Sequence, residues 1–483
     1  MQKVISLCKR RGFVFQSSEI YGGLKSSYDY GPLGVELKRN IANEWWKAMV
    51  HGREDVIGLD ASILMHSDVW RASGHLAGFS DPLVDCKNCK ERFRADKAPK
   101  LTPGSEVTYQ NPQNPKEQLK GTVRDCGYVC PVCGSPDLSP ERQFNLMFRT
   151  SIGAVDIAHE ISQALSQCQT LSPETIEQKV NEILSENSVY LRPETAQAMF
   201  VQFLNCQQTM SMKIPFGIAQ IGKSFRNEIT VEHFIFRSCE FEQMEMEYFV
   251  EPGTEARWLK EWCDIRIDWW RRYANRKEDF RLRAHEPDEL AHYADACYDI
   301  EFKYPWGWDE LEGVASRTDY DLKKHSEHSG ANLTYFDPQK ADPETGKNGW
   351  RYTPYVIEPA AGLTRGVLCF LLDAYSEEKG IDAKGNEKVR VLLKLHPRLA
   401  PIKCAVLPLV KKDGLPDIGR EIVSDFFKAG INARYDEQHS IGKRYARHDE
   451  AGTPFCLTVD HQTKEDGTVT IRYRDTTKQE RIS

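Results

Sequence analysis

The stretch KIPFGIAQIGKSFRNEITVEHFIFRSCEFEQMEMEYF, residues 213–249, holds two overlapping nucleotide-binding patterns that require different folds. GIAQIGKS (217–224) satisfies G-x-x-x-x-G-K-[ST], the loop whose backbone amides and lysine cradle ATP phosphates. That loop needs a helix directly after it, because the free N–H groups and dipole of a helix N-terminus meet the phosphate charge. No helix is written here. From Ser224 the chain is rich in Phe, Ile, Val and Thr, with charged residues alternating through 240–249, which reads as strand, turn and strand. Ile218, Ala219, Gln220 and Ile221 are strand residues too. An antiparallel hairpin carrying FRNE (225–228) is therefore the expectation, and the phosphate loop is set aside.

FRNE followed about ten residues later by FRSCEFEQME resembles motif 2 of the class II aminoacyl-tRNA synthetases, a hairpin that carries an ATP site. LRPETAQ (191–197) and VIEPAAGLTRGV (356–367) resemble the amino-acid-binding strand and motif 3 of one branch, the homodimeric glycyl-tRNA synthetases. EIYGGL (19–24), YDYGPLG (28–34) and DELEGVASRTDYDL (309–322) extend the resemblance through nearly the whole chain. It implies an α+β and α/β multidomain fold: a class II antiparallel sheet with flanking helices, plus a C-terminal α/β anticodon-binding domain. The implied reaction is ATP-dependent activation of glycine to the adenylate, then transfer to the 3′ end of tRNA(Gly).

Composition fits an enzyme of that size without naming it. The 483 residues suffice for two or three cores, and 40% hydrophobic with 28% charged residues are ordinary globular values. No apolar run approaches the ~20 residues of a membrane span, and the basic N-terminus MQKVISLCKRRGFVF lacks a small-residue cleavage site. A cytoplasmic protein is expected. A net charge of −7 argues against wholesale polyanion binding, so RNA contact must use local basic patches, and no DNA partner is expected.

Of the 14 cysteines, Cys86-x-x-Cys89 and Cys130-x-x-Cys133 have metal-knuckle spacing, and Pro131 and Gly134 favour a tight turn. A structural zinc is the expectation, since four thiolates leave no open position for catalysis. Cys126 is a spare ligand candidate, and the remaining cysteines read as free thiols in a reducing compartment.

Residues 1–85 are expected to form the first part of the catalytic domain. An amphipathic helix near 33–50 is followed by the strand DVIGLDASILM (55–65), and the pair corresponds to the dimer-forming motif 1, although the proline common in that motif is missing. Residues 86–190 read as an insertion holding the cysteine module, a Pro/Asn/Lys-rich loop (101–120) and a helix in SPETIEQKVNEILSEN with Ser172 as its N-cap. Residues 191–395 carry motifs 2 and 3, with 377–388 read as a linker or loop. Residues 396–483 form a small α/β domain that ends slightly earlier than the resemblance implies.

The chemistry asks for countercharge and positioning rather than a nucleophile, because the glycine carboxylate itself attacks the α-phosphorus of ATP. The resemblance gives Arg226 the α-phosphate, Arg365 the distal phosphates, Glu228 the adenine amino group, Phe241 the ring, Arg237 a second anion contact and Glu310 a magnesium ion. Asn227, Phe236, Leu311 and Gly362 join the nucleotide site. Arg94, Glu194, Phe241, Gln243, Glu245, Arg317, Glu358, Ala360 and Gly362 join the glycine pocket, with Ala360 standing where serine is usual. On residues alone, an arginine and a glutamate two apart on a strand share a face and often simply pair. A carboxylate cluster such as Glu194, Glu245 and Glu358 is costly until a cation neutralises it, so an empty pocket should hold raised pKa values.

Choosing the smallest amino acid needs only steric exclusion, so no editing domain is expected. SIGKRYARHDEAGTPF (440–455) places Lys443, Arg444 and Arg447 where a solvated loop or a tRNA contact would serve. His325 and His328 in KKHSEHSG form either a metal pair or, the better reading, a solvated loop. The rival functions are a histidyl enzyme, against which EFEQMEMEYF and VIEPAAG speak, and a non-catalytic accessory subunit, against which Arg226, Glu228, Glu310 and Arg365 speak.

Overall fold

The computed structural model describes residues 1–152, 157–166, 172–186, 188–229, 233–381 and 387–483. A seven-stranded sheet organises most of them, in the order Phe280–Ala284, Ala296–Tyr304, Gly307–Thr318, Tyr355–Gly362, Glu240–Val250, Phe216–Phe225 and Val56–Gly58. Every pairing is antiparallel except the last. GIAQIGKS thus lies inside a strand, paired residue for residue from Phe216↔Phe249 to Phe225↔Glu240. Residues 230–232, within the stretch expected to turn, lie outside the described residues.

Period-two alternation gives this sheet two different faces. Met244, Met246, Tyr248 and Val250 point into the larger core, where Trp45, Trp262, Trp270 and Val367 come from the helices Pro32–Trp46, Glu255–Tyr273 and Leu363–Ala374. Arg266 and Glu312 form a fully buried ion pair there (2.7 Å), and Trp270 donates a further hydrogen bond to the carboxylate. Removing one partner of such a pair typically costs about 3–5 kcal/mol. On the opposite face Phe249 joins Phe200, Phe203 and Phe216 under the helices Ala196–Val201 and Phe203–Thr209. The rest of that face is left open as a cavity.

Five local expectations change. The strand expected over 55–65 splits into Val56–Gly58, in the main sheet, and Leu64–Met65, which pairs with Ser188–Leu191. Between them side chains take over the backbone groups: Ala61 N–H donates to Gln220 Oε1 (2.6 Å) and the Arg192 guanidinium donates to Ala61 O (2.9 Å). The linker or loop expected over 377–388 is strand where it is described, because Tyr375–Ile381 pairs with Glu387–Leu393. The loop expected over 101–120 is largely a hairpin of Glu106–Asn111 and Asn114–Thr122. KKHSEHSG belongs to the helix Tyr320–Ser329, with His325 buried. The sequence from Ile441 is the helix Ile441–Glu450.

The sheet of the cysteine module starts at Ser80, because Ser80–Asp85 pairs with both Arg92–Arg94 and Arg142–Asn145. Thr175 N–H donates to Ser172 Oγ (3.4 Å), the N-cap contact expected for the helix Pro173–Glu186. At the C-terminus a five-stranded sheet in the order Ala433–Tyr435, Cys404–Pro408, Phe455–Val459, Val469–Tyr473 and Gln479–Ile482 has its own apolar core. No helix among the described residues is long and apolar enough to cross a membrane.

Candidate active site

A cavity of about 300 Å³ opens on the sheet face opposite the tryptophan core. Phe241, Gln243 and Glu245 reach it from one strand by alternation, Glu358, Ala360 and Gly362 from its neighbour, and Gly313 and Ala315 from the next. Arg226 and Glu228 follow the end of the strand Phe216–Phe225, and Phe236 and Arg237 lead into its partner. Arg365 enters from the first turn of the helix Leu363–Ala374, directly after the Gly362 cap.

At one end the charges are arginines. Arg226 Nε donates to Pro193 O (3.1 Å), and its guanidinium lies 5.4 Å from the centres of both the Phe79 and Phe241 rings. Arg365 pairs with Glu310 (2.9 Å), donates to the Glu310 and Phe236 carbonyls, and lies 4.5 Å over the Phe236 ring. Arg365 holds the Glu310 carboxyl below its usual range. Glu228 faces Arg237 (3.9 Å) rather than closing on Arg226 two residues away.

The other end is crowded with carboxyls around Arg317, itself only 2% exposed. Arg317 pairs with Asp321 (2.8 Å) and Glu358 (2.7 Å) and lies 3.9 Å over the Tyr293 ring. Glu245 accepts from Thr195 N–H (3.1 Å) and from the Thr195 hydroxyl. Glu194 accepts from Gln197 (2.9 Å) and approaches His75 (3.4 Å). Burial raises Glu245, and the Glu194 charge adds to it. Burial also raises Glu358 well above the carboxylate range, against the pull of Arg317. For Glu194 the burial cost is outweighed by His75 and Arg317, which hold it down.

Sequence reading did not single out Glu247. It is fully buried beneath the cavity, both its oxygens lack a hydrogen-bond partner, and it lies within 4.8 Å of the Glu245 and Glu358 carboxyls. Burial, then the Glu358 charge, keeps it protonated far above the usual range. The alternation in EMEYF carried the signal, since Glu245 and Glu247 must share a face. His75 and Tyr293 come from distant segments and left none, and His325, which bonds Gln197 Oε1 (2.8 Å), was read as half of a metal pair or, in preference, as loop.

Several expected residues lie elsewhere. Leu311 is in the tryptophan core, not beside the cavity, because the pairing register shifts there: Glu310 faces Glu301 and Glu312 faces Ile300. That bulge turns Glu310 to the cavity and Leu311 away. Arg94 does not line the cavity and is paired with Asp81 and Asp96 (both 2.7 Å). Asn227 is half-buried outside it, its N–H held by Leu146 O (2.8 Å). Arg444 is buried, donating to Pro408 O (2.7 Å) and Asp436 O (3.1 Å), so it is a structural residue and not a surface contact. Arg447 pairs with Asp436 (3.2 Å), and Lys443 is exposed.

Cys86, Cys89, Cys130 and Cys133 converge with all four sulfurs within 4.8 Å of one another. Cys86 and Cys133 are 3.7 Å apart, and Cys89 and Cys130 are 3.6 Å apart. A tetrahedral zinc with ~2.3 Å bonds to sulfur needs sulfurs ~3.8 Å apart, so the four fit that ion. Cys126 is exposed and contacts Tyr128 O instead.

Residues 403–483 match the anticodon binding domain family. Over its full length the chain is 48% identical to the glycine–tRNA ligase of Treponema denticola, covering 94% of that protein. It is 47% identical to the glycine–tRNA ligase of Clostridium perfringens and 48% to that of Lysinibacillus sphaericus, covering 96% of each. An anticodon-binding unit joined to a sheet whose cavity sets arginines against a carboxylate cluster defines an aminoacyl-tRNA synthetase. Within that class, the chain belongs to the glycine–tRNA ligase family.

Proposed function

We propose that this chain activates glycine with ATP, releasing pyrophosphate, and transfers the glycyl group to the 3′ end of tRNA(Gly), with both steps in the cavity described above. The observation that carries this reading is the division of one cavity into a cationic end, with Arg226 and Arg365, and a carboxylate end, with Glu194, Glu245 and Glu358. ATP phosphates suit the first and an ammonium group the second. The glycine carboxylate would then lie between them, facing the α-phosphorus, and its own oxygen is the nucleophile. Arg226 would hold the α-phosphate, Arg365 the distal phosphates, Glu228 the adenine amino group, and Phe241 would stack on the ring, with Phe236 and Arg237 beside them.

Bound magnesium supplies neutralising charge to the phosphates. Glu310 is the carboxylate fit to hold it, at the cationic end and paired to Arg365. Arg317 sets the depth of the glycine pocket, and Gln243, Ala360 and Gly362 complete its wall. We read the seven-stranded sheet as the class II synthetase core, built from 1–85 and 191–395, with 86–190 an insertion and 396–483 the anticodon reader. Lys443 and Arg447 remain its candidate tRNA contacts. The exposed apolar run Ile20, Tyr21 and Leu24 supports a homodimer. The unpaired thiols support action in the cytoplasm.

Amino-acid-dependent ATP–pyrophosphate exchange across all twenty amino acids tests the reaction. Exchange with glycine alone is expected, and Arg226→Ala should lower it by about 10²–10³-fold, the usual effect of losing one transition-state donor. Exchange with another amino acid, or an unaffected Arg226→Ala, would overturn the assignment. The cysteine cluster should retain about one zinc through dialysis, measured by elemental analysis. In Cys130→Ser that zinc should be lost, together with thermal stability.

A further inference from the structure

The hairpin at the sheet edge brings a second set of metal-binding groups to the cavity wall. Ala284 pairs with Tyr298, and His285 N–H donates to Cys297 O (2.9 Å), so His285 stands opposite Cys297. Asp299, two residues on, projects from the same face. The three ligand atoms lie within 4.8 Å of one another. His285 Nε2 is 2.8 Å from Asp299 Oδ2, yet it is buried and without a hydrogen bond of acceptable geometry. On the next strand Gly313 faces Asp299 and Ala315 faces Cys297, and a Cβ built on Gly313 would meet nothing within 4 Å. The group therefore has free space on its cavity side, and all three residues line the cavity.

We propose that His285, Cys297 and Asp299 form a second transition-metal site, taking a zinc-like divalent ion with one coordination position open to the cavity. One sulfur, one imidazole and one carboxylate select such an ion over magnesium, which prefers oxygen alone. Bond lengths of ~2.0–2.3 Å place tetrahedral ligand atoms ~3.3–3.8 Å apart, within reach of small side-chain rotations here. Burial raises both Asp299 and the Cys297 thiol and so opposes their ionisation, but nearby negative charge, Glu310 on Asp299 and Asp299, Glu358 and Glu310 on Cys297, favours a cation between them. Arg283 shares Asp299 (3.1 Å) but also pairs with Glu289 and Glu301. Binding would release the thiol proton to solvent as the sulfur–metal bond forms. An ion here shares the cavity with Glu310, so, on the nucleotide-site reading given above, zinc would inhibit adenylation.

The test loads the full chain with zinc, removes free ion by dialysis and measures metal per chain. Two equivalents are expected for the native protein, one for Cys297→Ser and one for His285→Ala. Cobalt loading separates the sites, because only the Cys297 site loses its thiolate-to-cobalt charge-transfer band in Cys297→Ser. One equivalent in the native chain, or two in both folded variants, would overturn the proposal. Stoichiometry needs no activity, so it stands or falls apart from the assigned reaction. Inhibition of glycine-dependent exchange by zinc should then weaken in Cys297→Ser by at least the roughly 10–100-fold that even outer-shell changes cost. Equal inhibition of native and variant would leave the ion without the inhibitory role.

Discussion

Arg317→Met should lower stability by about 3–5 kcal/mol and glycine-dependent pyrophosphate exchange by at least about 10²-fold, because it strips the cation from a buried cluster. Arg317 is bonded to both Asp321 and Glu358, at 2.7–3.1 Å, and it is packed between Tyr293 and Phe200. Without it, Asp321 and Glu358 lose their cation; Asp321, left with Gln197 as a neutral donor, must stay charged or take up a proton, and either path costs folding free energy. Urea unfolding midpoints and glycine titrations read the two effects separately. Adding Glu358→Gln should return part of the stability but not the activity, since it removes a buried carboxyl that has lost its cation and an ammonium ligand together. A midpoint unchanged by Arg317→Met would show that the cluster is not held by this cation.

Glycine affinity should rise with pH, by up to about one decade per pH unit for each proton released on binding. Glu245 and Glu358 are both raised by burial, so the empty pocket carries protons that an unfolded chain would have lost. The ammonium of glycine needs a carboxylate, and its arrival must expel one of those protons. The sign for stability is opposite. A carboxyl raised in the folded state contributes stability below its unfolded pKa and loses it as pH rises through the folded value, so the apo protein should weaken toward neutral pH in this respect. Glu194, held low, contributes above the ordinary carboxyl pKa and is lost only in strong acid. Calorimetric titration of glycine in buffers of different ionisation enthalpy counts the protons; zero release across this range would contradict the raised carboxyls. Glu247→Gln keeps the neutral form already present at that position and should leave the folded state stable. Glu247→Lys, which buries a charge, should unfold it.

Much of this molecule was written locally. The strand pair over 216–250 follows from period-two alternation, which also overrules the GIAQIGKS phosphate-loop pattern: those residues are committed to an extended ladder and cannot wrap around a phosphate. The cysteine spacing placed four sulfurs within a zinc's reach, and Ser172 marked its helix. These features depend on neighbours in sequence, where propensity and spacing act directly.

What sequence left open depends on partners far along the chain. Strict alternation from Gly313, Ala315 and Arg317 would send Leu311 to the cavity and Glu310 to the core; one bulge reverses both. Arg444 looked like a surface cation until Pro408 and Asp436 supplied its acceptors, and Arg94 was expected in the glycine pocket until Asp81 and Asp96 claimed it. Glu247 became a neutral acid only because the sheet set Glu358 beside it and an apolar core beneath. By itself the sequence determined the strand pair over 216–250, the convergence of four cysteines and the list of charged groups available. The tertiary structure decided which charges face one another and how dry their surroundings are, and those two quantities set both pKa and chemistry.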